Sequence, residues 1–193
     1  MKLEPGIRIL TLDTGRLNEE TYEVMDAVRC KYGVTIESYF PNAHDVEDLE
    51  RTKGFYSFRE SVENRKECCG IRKVEPLRRA LKGLDAWITG LRRAQSVTRT
   101  DLQKIELDEA HPGLYKINPL ADWSEKDVWG YIKKNEVPYN RLHDAGYPSI
   151  GCAPCTRAVK PGEDIRAGRW WWENPEHKEC GIHGPKKQGA TGQ

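Results

Sequence analysis

An α/β fold built on a parallel sheet is the class the sequence predicts, and three observations predict it. Short β-branched apolar runs alternate with segments of helical periodicity. Gly and Asp punctuate the ends of those runs. The turns after two of the runs carry both Gly and Arg. A strand–helix–strand unit of this kind implies parallel strands and a right-handed crossover.

The first strand is expected over Ile7 to Leu12, between Pro5-Gly6 and Asp13-Thr14-Gly15. Asn18 then stands as a helix N-cap. Tyr22, Met25 and Val28 follow at helical spacing, and Gly33 stops the helix. Cys30 lies on this helix and is assigned to packing. A second strand is expected over Val34 to Tyr39. A helix over Glu75 to Lys82 tolerates Pro76 in its first turn. A third strand covers Ala86 to Thr89, ended by Gly90. Ser124 with Asp127 three residues later is a capping-box pattern for a helix over Glu125 to Lys134. Val128, Trp129 and Ile132 form its expected buried stripe, so Trp129 is placed in the core. From Tyr139 the chain is rich in Gly and Pro and reads as loops. Residues 184–193 are rich in Gly, Lys and Gln and are expected to be a disordered tail, leaving 1–183 as one domain.

Ligands of open α/β sheets bind beyond the carboxyl ends of the strands. Asp13-Thr14-Gly15-Arg16 and Gly90-Leu91-Arg92-Arg93 therefore either face a phosphate-like ligand or are ordinary turns. The 193 residues carry a net charge of only +1, although 32% are charged. That balance suggests neither a nucleic-acid nor a membrane partner. Arg78, Arg79, Arg92, Arg93 and Arg99 crowd one stretch, and Arg157, Lys160, Arg166 and Arg169 another, which points to a local anionic ligand. No apolar run approaches the roughly 20 residues needed to span a bilayer, and Met1 to Gly6 lacks a signal-peptide pattern. A cytoplasmic location is expected. In a reducing compartment clustered cysteines are metal ligands or catalysts before they are disulfides.

Four of the other five cysteines are grouped in that way. Cys152 and Cys155 form a CxxC, which aims two thiolates at one centre from a tight turn. Cys68 and Cys69 supply two more. Adjacent side chains normally diverge, so both can ligate only on a kinked backbone. Spacing leans toward a bulky iron–sulfur cluster and leaves zinc open. Arg72, Lys73 and Arg157 lie near these ligands in sequence. Cys180 stands alone, with Lys178 before it and His183 after it. That charge lowers a thiol pKa and suits a nucleophile; a spare ligand or an inert surface cysteine is the alternative.

Six runs carry a family resemblance: LDTGRL at 12–17, ECCGIRK at 67–73, TGLRR at 89–93 with Gln95-Ser96, GCAPCTR at 151–157, GRWWWE at 168–173 and KECGIH at 178–183. In that order they resemble the assimilatory adenosine 5′-phosphosulfate (APS) reductases, relatives of the 3′-phosphorylated (PAPS) enzymes. The Cys-Cys plus CxxC set resembles the iron–sulfur branch. The resemblance implies a Rossmann-like adenine-nucleotide hydrolase (PP-loop) fold and a [4Fe–4S] cluster on Cys68, Cys69, Cys152 and Cys155. It implies Cys180 as the catalytic thiol. It assigns substrate contacts to Thr14, Gly15, Lys73, Arg99, Arg166, Arg169 and His183. Trp170 to Trp172 would seat the C-terminal segment. The implied activity is thiol-dependent reduction of APS to sulfite and AMP, with thioredoxin or a glutaredoxin-like protein as donor. PAPS is the alternative substrate, and a zinc-binding structural module the alternative class; a homo-oligomer is compatible with either. The family also carries a strand, a Ser-Gly-rich phosphate loop and a helix ahead of the strand placed at Ile7. No such loop occurs in this sequence. The expectation is a chain that holds the metal centre and Cys180 yet binds APS weakly.

Overall fold

The computed structural model describes residues 6–95, 99–174 and 182. Its first unit is β1 (Ile9–Leu12), α1 (Glu19–Tyr32) and β2 (Ile36–Tyr39). β1 and β2 pair in parallel, with Ile9 opposite Ile36 and Leu12 opposite Tyr39. This is the expected βαβ unit with both strands shortened at their starts. Gly33 closes α1 in the left-handed conformation, φ 63°, which glycine adopts without steric cost. Asn18 occupies the N-cap position without capping; its side chain reaches instead toward the Gly151 carbonyl, 3.5 Å away.

Two expectations on helices need correction. Cys30 is exposed rather than packed. No residue of α1 is buried, so the helix lies on the outside and its last turn faces solvent. Trp129, on α5 (Glu125–Lys134), is half-buried rather than core. It stands edge-on to Tyr139 and His143, with ring centroids 5.2 and 5.4 Å away. The loop 139–148 covers one side of it, where a sheet face would have buried it whole. The capping box itself is complete: Ser124 Oγ accepts from the Asp127 amide, and Asp127 accepts from the Ser124 amide.

Between β2 and β3 the chain is more helical than its pattern suggests. α2 spans Ala43–Lys53, capped by the Asn42 side chain. A 3₁₀ turn at Ser57–Arg59 buries Phe58. α3 (Val62–Cys69) runs through a π-helical stretch at Gly70–Val74 into α4 (Glu75–Leu81) without leaving helical backbone. Pro76 is accommodated because the π-turn has already broken the regular ladder ahead of it. α4 buries Leu77, Ala80 and Leu81 and packs on β1 and β2.

A second small sheet joins β3 (Ala86–Ile88), β4 (Ile105–Leu107) and β5 (Tyr115–Ile117). β5 is central, parallel to β3 and antiparallel to β4. No ladder joins β1 to β3 among the described residues. At the amino end of β5, Asp108 is fully enclosed. It accepts from the Trp87 indole at 2.8 Å and the Ala110 amide at 3.0 Å, bonds His111 Nδ1 at 3.0 Å, and lies 3.6 Å from the Lys116 ammonium. Burial pushes this carboxyl up, but those hydrogen bonds and the Lys116 charge hold it below its ordinary value. A depressed carboxyl stabilises the fold above its unfolded value, near 4, and that stability is lost as pH falls through the lower folded value. Asp108→Asn is therefore expected to lose about 1–3 kcal/mol at pH 7. Thermal melts at pH 7 and below pH 4 check this: the gap to the parent chain should close in acid.

Candidate metal and active site

The π-turn follows directly on the paired cysteines and carries Arg72 and Lys73. Helical neighbours differ by about 100° in direction, and the wider turn after Cys69 shifts the residues that follow. Cys68, Cys69, Arg72 and Lys73 all line one small cavity, with Cys152 and Cys155 from the other side. Arg16, Phe58, Arg65 and Trp170 complete the wall. Cys68 and Cys69 themselves stand on regular helical backbone at the end of α3, and the π-turn at Gly70–Val74 begins directly after them. All four thiols are buried, and they form a core cluster with Leu49, Phe58 and Trp170.

The loop after β1 holds the CxxC in place. Gly15, at φ 70°, makes a turn that an L side chain would strain, and its amide bonds the Asp13 carboxylate at 2.9 Å. That turn aims Thr14 inward, where Oγ1 hydrogen-bonds Cys152 Sγ at 3.2 Å. The Arg16 carbonyl accepts from the Ala153 amide at 2.8 Å. Cys152-Ala-Pro-Cys155 closes as a 3₁₀ turn, with the Cys155 amide on the Cys152 carbonyl at 2.9 Å. Thr156 Oγ1 donates to that same carbonyl and accepts from the Gly151 amide.

Cations surround the sulfurs. Arg72 donates to the Thr14 carbonyl at 2.8 Å and to Glu50 at 2.5 Å; Arg16 reaches the same Glu50 oxygen at 2.8 Å. One carboxylate thus fixes two guanidinium groups against the cavity. Burial pushes the Cys68 thiol up, while Arg16 and Arg72 oppose it. Burial pushes the Cys155 thiol up to about 12; Cys152 and Cys68 add to the shift, and Lys73 and Arg169 oppose it.

The donor set fits a polynuclear centre. Four buried thiols, two from the end of α3 and two from the Cys152–Cys155 turn, face one cavity. Four thiolates are the donor chemistry that would hold an iron–sulfur cluster.

On the far wall, Trp170 is 1% exposed and sandwiched between two guanidinium groups, Arg65 and Arg169, each 4.6 Å from its ring. Arg65 makes two 2.9 Å bonds to Glu173, with side chains 1% and 3% exposed. Arg169 reaches the Ile150 carbonyl and Ser149. Its guanidinium passes so close to Gly151 that a Cβ there would stand 2.4 Å from Nη2, which explains the glycine before Cys152.

Of the residues expected in the site, Lys73 and the four cysteines line the cavity; Thr14 bonds Cys152, Arg169 acts on Cys155, and Gly15 lies against Arg72 just behind it. Arg99 and Arg166 do not line it. Arg99 bonds Gln95 on the loop after β3, and the Arg166 amide is held by Asp164. Cys180 and His183 lie outside the described residues. Glu50, Phe58 and Arg65 belong to the site's frame, and nothing in the sequence singles them out; Arg16 and Glu173 join it from the LDTGRL and GRWWWE runs. Two roomier grooves flank α5, one lined by Trp129, Tyr139 and His143, the other by Val24, Ala27 and Ile132. Neither contains a residue expected in the site. No helix among the described residues is long and apolar enough to cross a membrane.

Known proteins resemble this chain over most of its length. The family model of the phosphoadenosine phosphosulfate reductase domain matches residues 1–158. The chain is 59% identical over 177 residues to the adenosine 5′-phosphosulfate reductase of Allochromatium vinosum, covering 92% of this chain and 69% of that protein. It is 51% identical to the chloroplastic 5′-adenylylsulfate reductase 3 of Arabidopsis thaliana, covering 96% of this chain and 42% of the relative. Among solved structures, phosphoadenylyl-sulfate reductase from Candida auris aligns with a TM-score of 0.66 at 33% identity, covering 81% of this chain and 73% of that one. FMN adenylyltransferase of Candida glabrata, at 14% identity and a TM-score of 0.53, shares the fold.

Proposed function

The chain belongs to the phosphoadenosine phosphosulfate reductase domain family, and from that premise we propose that it reduces adenosine 5′-phosphosulfate to sulfite and AMP through a covalent adduct on Cys180. The relatives at 49–59% identity are named for APS, which favours that substrate over its 3′-phosphorylated form. The observation that carries the reading is the cavity of four buried thiols rimmed by Lys73 and Arg169.

The Cys180 thiolate attacks the sulfate sulfur of APS. A sulfur–sulfur bond forms, and the bond from that sulfur to the bridging oxygen breaks, so AMP leaves with its electron pair. Lys73 and Arg169 stabilise the negative charge that builds on the transferring sulfonate and the leaving phosphate. Arg99, Arg166 and His183 are assigned to the same anion. Thr14 and Gly15 are placed on the nucleotide side. A dithiol protein, thioredoxin or a glutaredoxin-like relative, then attacks the Cys180 sulfur. Sulfite departs with the electrons of the sulfur–sulfur bond. The donor's second thiol resolves the mixed disulfide and returns Cys180 as a thiolate, leaving the donor oxidised by two electrons.

Cys68, Cys69, Cys152 and Cys155 would hold a [4Fe–4S] cluster. When bound, such a cluster supplies compact charge that organises the substrate's surroundings, since the donor thiols supply both electrons. The Thr14 hydroxyl steadies Cys152, and Arg16 and Arg72 offset thiolate charge at Cys68.

The test is mass spectrometry after anaerobic incubation with APS and no thiol donor. A sulfonate-sized adduct is expected on the peptide carrying Cys180, and Cys180→Ser should lose it. An adduct mapped to another cysteine, or none on the intact chain, overturns the assignment.

A further inference from the structure

One surface beside the metal site has a composition that neither fold nor catalysis requires. Phe55 and Tyr56, in the turn after α2, are 66% and 60% exposed, and Trp171 is 39% exposed. Tyr56 and Trp171 are gathered, with Phe58 and Trp172, around one cation. The Arg59 guanidinium lies 5.0 Å from the Tyr56 ring, 5.7 Å from Phe58, 5.5 Å from Trp171 and 5.4 Å from Trp172. Arg59 also donates to the Pro154 carbonyl, between the two cysteines of the CxxC, at 3.1 Å. Trp171 and Trp172 meet edge-on at 4.7 Å, and Phe58 roots the group in the core at 1% exposure. The patch is therefore wide, aromatic, apolar at its top and rigid at its base. Tyr, Trp, Phe and Arg held in place are the residues that dominate protein–protein binding energy, because little side-chain entropy remains to be lost.

We propose that Phe55, Tyr56, Arg59 and Trp171 form the docking surface for the dithiol protein that releases sulfite. This rests on the functional reading above. The described chain runs off this patch, Asn174 coming three residues after Trp171. Cys180 is six residues further on, so even a fully extended chain keeps it within about 20 Å of Asn174. A protein that attacks the adduct must put its thiolate inside that radius, and this patch stands at the radius's origin. The chemistry asked of the partner is specific. It carries a surface dithiol, an apolar face to cover Phe55 and Tyr56, and a carboxylate or carbonyl oxygen to meet Arg59.

The experiment separates the half-reactions in the full chain. Phe55 and Tyr56 are exposed, so Phe55→Ser/Tyr56→Ser should fold; Tyr56→Ser alone is the second variant. Adduct formation with APS in the absence of donor is expected to match the parent chain. Sulfite release with thioredoxin below saturation is expected to fall about tenfold, the effect of losing one good interfacial anchor, while release with dithiothreitol stays unchanged. Unchanged release with thioredoxin overturns the proposal. Equal loss with both donors also overturns it, because a small dithiol needs no docking surface. A second copy of this chain on the patch would appear as a dimer in light scattering that Tyr56→Ser disperses, and that too overturns it. No adduct on the parent chain overturns the functional reading itself, a result distinct from the other three.

Discussion

Replacing Glu173 with Ala is expected to destabilise the chain by about 3–5 kcal/mol, the usual loss when one member of a buried ion pair is removed. The size follows from the position of Arg65. Its side chain is 1% exposed, and Glu173 meets it with two bonds of 2.9 Å. Without that carboxylate, the guanidinium keeps the Trp170 ring and the neighbouring Cys69, and neither carries a full compensating charge. Water cannot replace Glu173 cheaply, because Trp170 closes the site at 1% exposure. Arg65→Lys should recover only part of the loss, since an ammonium is a single point charge and cannot match both oxygens. The check is a denaturant titration of parent and variants at pH 7. A midpoint shift worth less than about 1 kcal/mol would place this pair with surface ion pairs and contradict the burial. The same variant should loosen Cys69 and Trp170, because Arg65 touches both.

This pair also marks the limit of what the sequence makes legible. Arg65 and Glu173 lie 108 positions apart, and each reads alone as an ordinary surface charge. Only the folded chain shows that α3 and the turn after Trp170 meet. Glu50 is similar: one acid on a polar helix, which in the fold holds both Arg16 and Arg72. Features with local causes are readable. Gly33 ends α1, the Ser124–Asp127 box starts α5, and Pro76 sits at a helical start. The CxxC and the paired Cys68-Cys69 read as one set, because thiols clustered in a reducing compartment serve metal binding or catalysis. α2 and α3 do not stand out, since both are strongly charged helices with a single buried residue in the first and little apolar periodicity. β4 and β5 are three residues each and bury mainly polar groups. The half-burial of Trp129 escapes its periodicity because the helical stripe meets a loop rather than a sheet. Charge on Arg166 and Arg99 carries no signal of which cavity each lines.

Cys155→Ser is expected to remove the proposed iron–sulfur centre altogether. The serine hydroxyl is a far harder and less acidic ligand than a thiol, and three remaining sulfurs leave one corner of a four-metal cluster unheld. Iron and acid-labile sulfide in anaerobically purified protein should drop to near zero, and visible absorption should go with them. Cys30→Ser is the matched control: Cys30 is exposed on α1 and should leave both unchanged. Retention of full iron by Cys155→Ser would take Cys155 out of the ligand set. The parent chain stripped of metal should then show a pH dependence that the loaded chain lacks. Burial pushes the Cys155 thiol up to about 12, against an ordinary value near 8.5 in an unfolded chain. The folded, metal-free form therefore keeps a proton that the unfolded form gives up. Its stability is complete below that ordinary value and declines as pH rises toward 12, by roughly 1.4 kcal/mol per unit for each such thiol. Cys68, shifted in the same direction, steepens the fall. In the loaded form the sulfurs are already deprotonated by their metal, so no proton is released on unfolding from these sites until the centre itself is lost. Denaturation midpoints of stripped and loaded protein at pH 8, 9 and 10 should diverge steadily. Parallel midpoints would mean that the four buried sulfurs carry no metal in the loaded preparation.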